Sequence, residues 1–217
     1  MLDELAKAMA AYNKSYSEFP KSHLRAKSLM RIGVCQAGLG NATQAARTFR
    51  HLSKEFPDKT KDVKKVGKYL QQLGIVGRRA PKITAEEWIY GLVGQDDLHT
   101  FSGSVIVVVF FATWCSHCSH NMPRLRGLIE EWQAEGVVFL GVANPNDPMN
   151  TEPIDAYLDK QDLHFDDIGL DRDYSSWYHY KVSGLPATAL VDRTGVVRWR
   201  GNLSFLPPSL LRSLLNE

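Results

Sequence analysis

FFATWCSHCSHNMP, residues 110–123, carries two cysteines separated by two residues, Cys115 and Cys118. The run before it, VIVVVFF at 105–111, is β-branched and continuously apolar, as a central strand covered on both faces should be. Trp114 follows the end of that run, a His-rich polar turn comes next, and Pro123 falls inside what reads as a helix. Two thiols at this spacing, between a buried strand and a helix, make a redox pair.

Outward from this stretch, strands alternate with helices. RLRGLIEEWQA at 124–134 is an amphipathic helix, and VVFLGVA at 137–143 is a second buried strand. Residues 154–161 and 173–180 read as helices. Strands at 188–191 and 196–200 are joined by DRTG, which suits an antiparallel hairpin. A helix at 206–215 opens on a Pro-Pro pair suited to a first turn. The alternation implies a mostly parallel sheet.

Strand, CxxC, helix, strand, helix, hairpin and final helix resemble the TlpA/ResA-like branch of the thioredoxin superfamily. The resemblance rests on APKI at Ala80, FFATWCSHC at Phe110, Pro123, an inserted strand–helix stretch at about 144–180, and GLPATALVD at Gly184. A CxxC after a buried strand and a Leu-Pro about 70 residues later must both appear, in order. It implies an α/β thioredoxin fold, a central mixed sheet flanked by helices, over 105–217, with the likeness starting near Ala80. It also implies a thiol–disulfide oxidoreductase whose only redox group is the Cys115–Cys118 disulfide, with no cofactor and no metal.

Each site residue has an expected role. Cys115 is the exposed nucleophile at the helix N-terminus, where unpaired N–H groups and the helix dipole favour a thiolate. Cys118, one turn in, resolves the mixed disulfide. His117 stands where DsbA-like oxidants carry a His; a protonated imidazole there stabilises the thiolate and strengthens the disulfide as an oxidant. TlpA-like relatives mostly reduce, so the resemblance and the spacer point in opposite directions. By the resemblance, Pro186 is cis and Leu185 offers its backbone to a substrate strand opposite Cys115, while Trp114 covers one side. Two departures stand out. Val109 occupies the position of the thioredoxins' buried Asp, and Asn121 that of the ResA-like Glu. The Cys118 proton is then left to His120 or water.

Residues 1–75 read as helices, all-α and repetitive. YNKSYSEFPKS from Tyr12 aligns with FRHLSKEFPDK from Phe49, and Ala8 to Ala45, Tyr12 to Phe49 and Pro20 to Pro57 share one offset of 37 residues. That period marks a stacked two-helix repeat. From Ala26, the order Leu29, Ile32, Gly33, Ala45, Phe49, Pro57 resembles the tetratricopeptide repeat. Gly33 and Ala45 are the close contacts, Pro57 the helix stop, and Gly38, Gly40 and Asn41 the turn. Gln36 and Leu52 depart from the usual aromatic and Ala. Residues 1–20 match a second helix whose first is missing, so the expectation is a fragment with further repeats upstream. A lysine-bearing helix at 61–73 closes the array, and 76–104 is the linker and N-terminal extension of the next domain.

Composition excludes other classes. The 217 residues are 44% hydrophobic and 23% charged, and the net charge of +2 offers no field to recruit nucleic acid. No secretory signal is visible, and an extracytoplasmic, periplasmic or envelope location is implied by the family alone. The expected partners are protein dithiol or disulfide substrates, a redox partner protein, and a protein bound on the concave face of the repeats. Three other readings exist. Cys115, His117, Cys118 and His120 could handle copper or zinc, although adjacent His117 and Cys118 make one tetrahedral site awkward. Peroxide reduction needs an upstream Pro, and none lies between Ser104 and Cys115. The chain could also be chiefly an interaction module on a thioredoxin scaffold. Cys35 reads as a buried apolar residue. His23, His51, His99, His164 and His179 read as surface residues, and Asp166, Asp167, Asp171 and Asp173 as loop and capping groups.

Overall fold

The computed structural model describes residues 2–58, 60–90, 98–145 and 153–217. Parts of two expected segments, 91–97 of the extension and 146–152 of the insertion, lie outside the described residues. The chain divides into two units, Met1–Val76 and Gly77–Glu217.

The first unit holds α1 (Leu2–Glu18), α2 (Arg25–Gly38), α3 (Ala42–Glu55) and α4 (Thr60–Leu73). Its core contains Leu29, Ile32, Ala45, Phe49, Leu52 and Val66. Gly33 is where α2 and α3 meet: a Cβ there would lie 2.5 Å from the Phe49 ring. Phe49 is itself fully buried and stacks on Tyr69 of α4, with centroids 4.9 Å apart. Leu52, unusual for the repeat, is fully buried as well. The turn starts one residue later than expected, since Gly38 is still helical and Gly40 takes up the positive φ of 83°. α1 packs on α2 through Met9, Tyr12 and Tyr16, which remain only partly buried. Glu55 ties three helices together: it accepts from the Tyr16 hydroxyl at 2.5 Å and pairs with Arg25 at 2.9 Å. Cys35 is buried on α2, as expected.

Among the described residues, the second unit is a six-stranded sheet with helices. Its elements are β1 (Glu87–Trp88), β2 (Ile106–Phe111), α5 (Ser116–Gln133), β3 (Val138–Ala143), α6 (Ile154–Gln161), β4 (Asp167–Leu170), α7 (Ser175–His179), β5 (Ala187–Val191), β6 (Val197–Gly201) and α8 (Pro208–Leu215). A 3-10 turn, Leu203–Phe205, joins β6 to α8. The strand order is β1-β4-β3-β2-β5-β6. Only β2–β3 and β3–β4 are parallel; β1–β4, β2–β5 and β5–β6 are antiparallel. The sheet is thus mixed, as the resemblance implies; the parallel arrangement read from the alternation alone holds for β2, β3 and β4, while the terminal hairpin pairs back onto β2 and a short antiparallel strand pairs with β4.

Residues 77–83, at the start of the expected linker and N-terminal extension, join the second unit and run beside β6. Gly77 donates to the Val197 carbonyl at 2.7 Å, Val197 donates to Arg78, and Ile83 is buried. The hairpin turn DRTG is held by one carboxylate. Asp192 accepts from the Thr194 N–H (2.9 Å), the Thr194 hydroxyl (2.7 Å), the Val196 N–H (2.9 Å) and Arg198 (3.0 Å). Gly195 supplies the positive φ of 80° that such a turn needs.

The face of the sheet that carries α5 is fixed by contacts. Phe111 stacks on Tyr157 of α6, and the Tyr157 hydroxyl lies 3.2 Å from Ser119 Oγ of α5. Side chains alternate along a strand, so Val109 shares the Phe111 face and faces α5. Phe110, on the opposite face, packs on Tyr180.

Candidate active site

β2 delivers the chain to the sheet end, and α5 begins at once, with Cys115 as its N-cap. The Cys115 sulfur accepts from the Cys118 N–H at 3.2 Å, and the Cys115 carbonyl accepts from the same N–H at 2.9 Å. A sulfur in the N-cap role takes up one of the four unpaired N–H groups that open a helix. Both cysteines are present as free thiols.

Their environments differ. Cys118 is fully buried, and Cys115 is 8% exposed. Cys115 is thus less open than expected, because its sulfur folds back onto the first turn of α5 instead of projecting outward. Burial pushes the Cys118 thiol far above the ordinary thiol range, and its hydrogen bond to Cys115 adds to the rise, while a backbone hydrogen bond at Ala112 opposes it. Trp114, 42% exposed, stands beside Cys115. His117 is exposed on the first turn.

The loop before β5 arrives at the end of β2, where Ala187 pairs with Phe110. The Leu185–Pro186 peptide bond is cis, as the resemblance implies. Leu185 is half-buried and Pro186 buried. Arg200, 3% exposed, holds both ends of this loop, donating to the carbonyls of Tyr180 (3.0 Å) and Thr188 (3.5 Å). Burial lowers the pKa of this guanidinium to about 10.

The position of the ResA-like Glu is spoken for. Asn121 donates to the His117 carbonyl at 2.7 Å and accepts from Ser204 Oγ at 2.5 Å. His120 does not take the place of a base for Cys118. It is exposed, while Cys118 is sealed, and two residues along a helix turn the side chains to nearly opposite faces. The Cys/His metal site fares no better: among the described residues, no group of three or more His, Cys, Asp and Glu is placed to hold an ion. The five remaining histidines are exposed. Asp166, Asp171 and Asp173 accept backbone N–H groups from Phe139, Trp177 and Ser175, and Asp167 accepts from Tyr90 and Ile168. No helix among the described residues is long and apolar enough to cross a membrane.

Ser204 and Asn202, which bear on this site, gave no sign in the sequence. They fall in a short turn, and Ser204 meets its partner Asn121 across 83 residues.

A mixed sheet with a dithiol at a helix N-cap and a cis-proline at the start of the strand beside β2 defines a thioredoxin-fold dithiol protein. The AhpC/TSA family profile matches residues 76–200, and the chain belongs to that family, in its ResA-like branch. It is 30% identical over 124 residues to the thiol-disulfide oxidoreductase ResA of Geobacillus thermodenitrificans, covering 57% of this chain and 67% of that one. Protein DipZ of Mycobacterium bovis is 29% identical over 126 residues, and the match spans only 18% of its length. A solved thiol-disulfide isomerase from Corynebacterium glutamicum is similar in fold, with a TM-score of 0.53, 24% identity, and 64% and 97% of the two chains covered. A thiol:disulfide interchange protein from a Bacteroides species has a TM-score of 0.52 at 20% identity, covering 65% and 91%. A tetratricopeptide repeat profile matches residues 27–59.

Proposed function

We propose that this protein exchanges disulfides with protein substrates through Cys115 and Cys118. The observation that carries the reading is the asymmetry of the pair: a sulfur capping a helix N-terminus beside a second thiol sealed beneath it. The Cys115 thiolate attacks one sulfur of a substrate disulfide, and the other substrate sulfur leaves as a thiolate and takes a proton. Cys118 then loses its proton and attacks the Cys115 sulfur. The substrate's second sulfur leaves, and the protein retains the Cys115–Cys118 disulfide. Run backward, the same steps oxidise a substrate dithiol; the reduction potential sets the direction.

Leu185 offers its backbone to an extended substrate segment, next to Pro186, and Trp114 forms an apolar wall. His117 stabilises the thiolate form when protonated. The helical repeat, over residues 1–75, brings a protein partner or substrate to the thioredoxin-like part, 105–217. The ResA-like branch supports an extracytoplasmic location. Peroxide reduction finds no support in the site, since no Pro precedes Cys115 after Ser104.

The test is turnover of a disulfide-bonded peptide by the full chain with a chemical reductant, for wild type and Cys115→Ala. Wild type accelerates reduction and the variant does not. Equal rates for both sink the reading.

A further inference from the structure

Two loops build the site, and a continuous set of hydrogen bonds joins them. The Pro186 carbonyl accepts from Asn202 Nδ2 at 2.9 Å. Asn202 Oδ1 accepts from the Ser204 N–H at 2.9 Å, capping the 3-10 turn at Leu203–Phe205. Ser204 Oγ donates to Asn121 Oδ1 at 2.5 Å, and Asn121 Nδ2 donates to the His117 carbonyl at 2.7 Å. The path therefore runs from the cis-proline to the first turn of α5, between Cys115 and Cys118 in sequence.

We infer that Asn121, Ser204 and Asn202 form a strap of positioning residues that fixes the gap between the Pro186 loop and the CxxC turn, and so the groove into which a peptide docks. The inference rests on the proposed disulfide exchange. Three features single out this function from ordinary packing. Both ends of the Asn121 amide are engaged, one on the helix and one on the turn, so the position where relatives carry a proton-handling Glu is given over to geometry. The Pro186 carbonyl is already paired, which leaves Leu185 as the backbone available to a docked strand. The strap contains no ionisable group, so its effect does not vary with pH, unlike that of a carboxylate at the same place.

Reaction needs the attacking sulfur and the substrate disulfide held within a near-attack geometry, and a loosened groove loses binding before it loses chemistry. Small disulfides need no groove. The experiment compares wild type, Ser204→Ala and Ser204→Thr as full chains on a disulfide-bonded peptide and on a small aromatic disulfide, at pH 6 and 8. Amide exchange of the segment 182–188 is followed in parallel.

Ser204→Ala is expected to raise KM for the peptide about five- to tenfold, as loss of one part-buried hydrogen bond implies. The rate on the small disulfide stays within about twofold, equally at both pH values, and Ser204→Thr restores the peptide KM. Exchange of 182–188 speeds up in Ser204→Ala alone. Unchanged peptide KM together with unchanged exchange overturns the strap. An equal loss on both disulfides also overturns it, because it points to general damage. If wild type turns over neither disulfide, the proposed exchange fails, and the exchange arm still decides whether the strap holds the loop.

Discussion

The backbone N–H of Cys118 lies 3.2 Å from the Cys115 sulfur, while the Cys118 side chain is shut away from solvent. One residue thus places its N–H donor at its neighbour's sulfur, while burial pushes its own thiol up. In the reduced protein at pH 7, iodoacetamide should modify Cys115 at least ~10-fold faster than Cys118, because the thiolate is the reactive form. Peptide mapping after a short pulse checks the order. Predominant label on Cys118 contradicts it.

His117 lies on the exposed first turn of α5, where a positive charge favours the reduced, thiolate-bearing form. His117→Ala should lower the reduction potential, by ~30 mV for each tenfold of lost stabilisation. Salt screens an exposed charge, so the difference should shrink at high ionic strength. An unchanged potential makes the residue a bystander.

Gly33 and Gly67 offer a pair of opposite sign. A methyl at Gly33 meets the Phe49 ring, which Tyr69 holds in place, so Gly33→Ala should destabilise the first unit by about 1–3 kcal/mol. Gly67 lies within α4 with open space around it, so Gly67→Ala should stabilise by about 1 kcal/mol. Urea unfolding followed by helical circular dichroism measures both. Similar effects from the two changes would contradict the close helix contact.

Asp192 sets a pH dependence. Burial alone would raise its carboxyl, but the bonds from Thr194, Val196 and Arg198 outweigh it and hold the group below the usual carboxylate range. A depressed folded value means stability that is fully present above the unfolded value, near 3.9, and is lost as pH falls through the folded one. Asp192→Asn should therefore cost about 1–3 kcal/mol at pH 7 and progressively less below pH 4. Urea midpoints between pH 2.5 and 7 test this, and parallel curves for the two proteins refute it.

Much of this architecture is legible in residues 105–217. VIVVVFF, the CxxC and the Leu-Pro are local patterns whose order constrains the fold, and DRTG announces its hairpin through residue types that bond their own backbone. The short strand at Glu87–Trp88 was invisible, since two residues carry no periodicity and its pairing with β4 is tertiary. Alternation by itself reports only the parallel crossovers; the mixed character is legible through the resemblance and the DRTG hairpin, which folds back beside β2. Asn121 was legible only as a missing carboxylate. Its partners, the His117 carbonyl and Ser204, are visible only once β6 brings the turn at Leu203–Phe205 against α5.

The division of labour between the two cysteines is most directly tested by trapping. Cys118→Ser and Cys115→Ser, each as the full chain, are incubated with a disulfide-bonded peptide and analysed by non-reducing mass spectrometry. Cys118→Ser should accumulate a mixed disulfide through Cys115, and Cys115→Ser should accumulate none. A mixed disulfide that forms through Cys118 in the Cys115→Ser protein, and not in the other, would reverse the assignment.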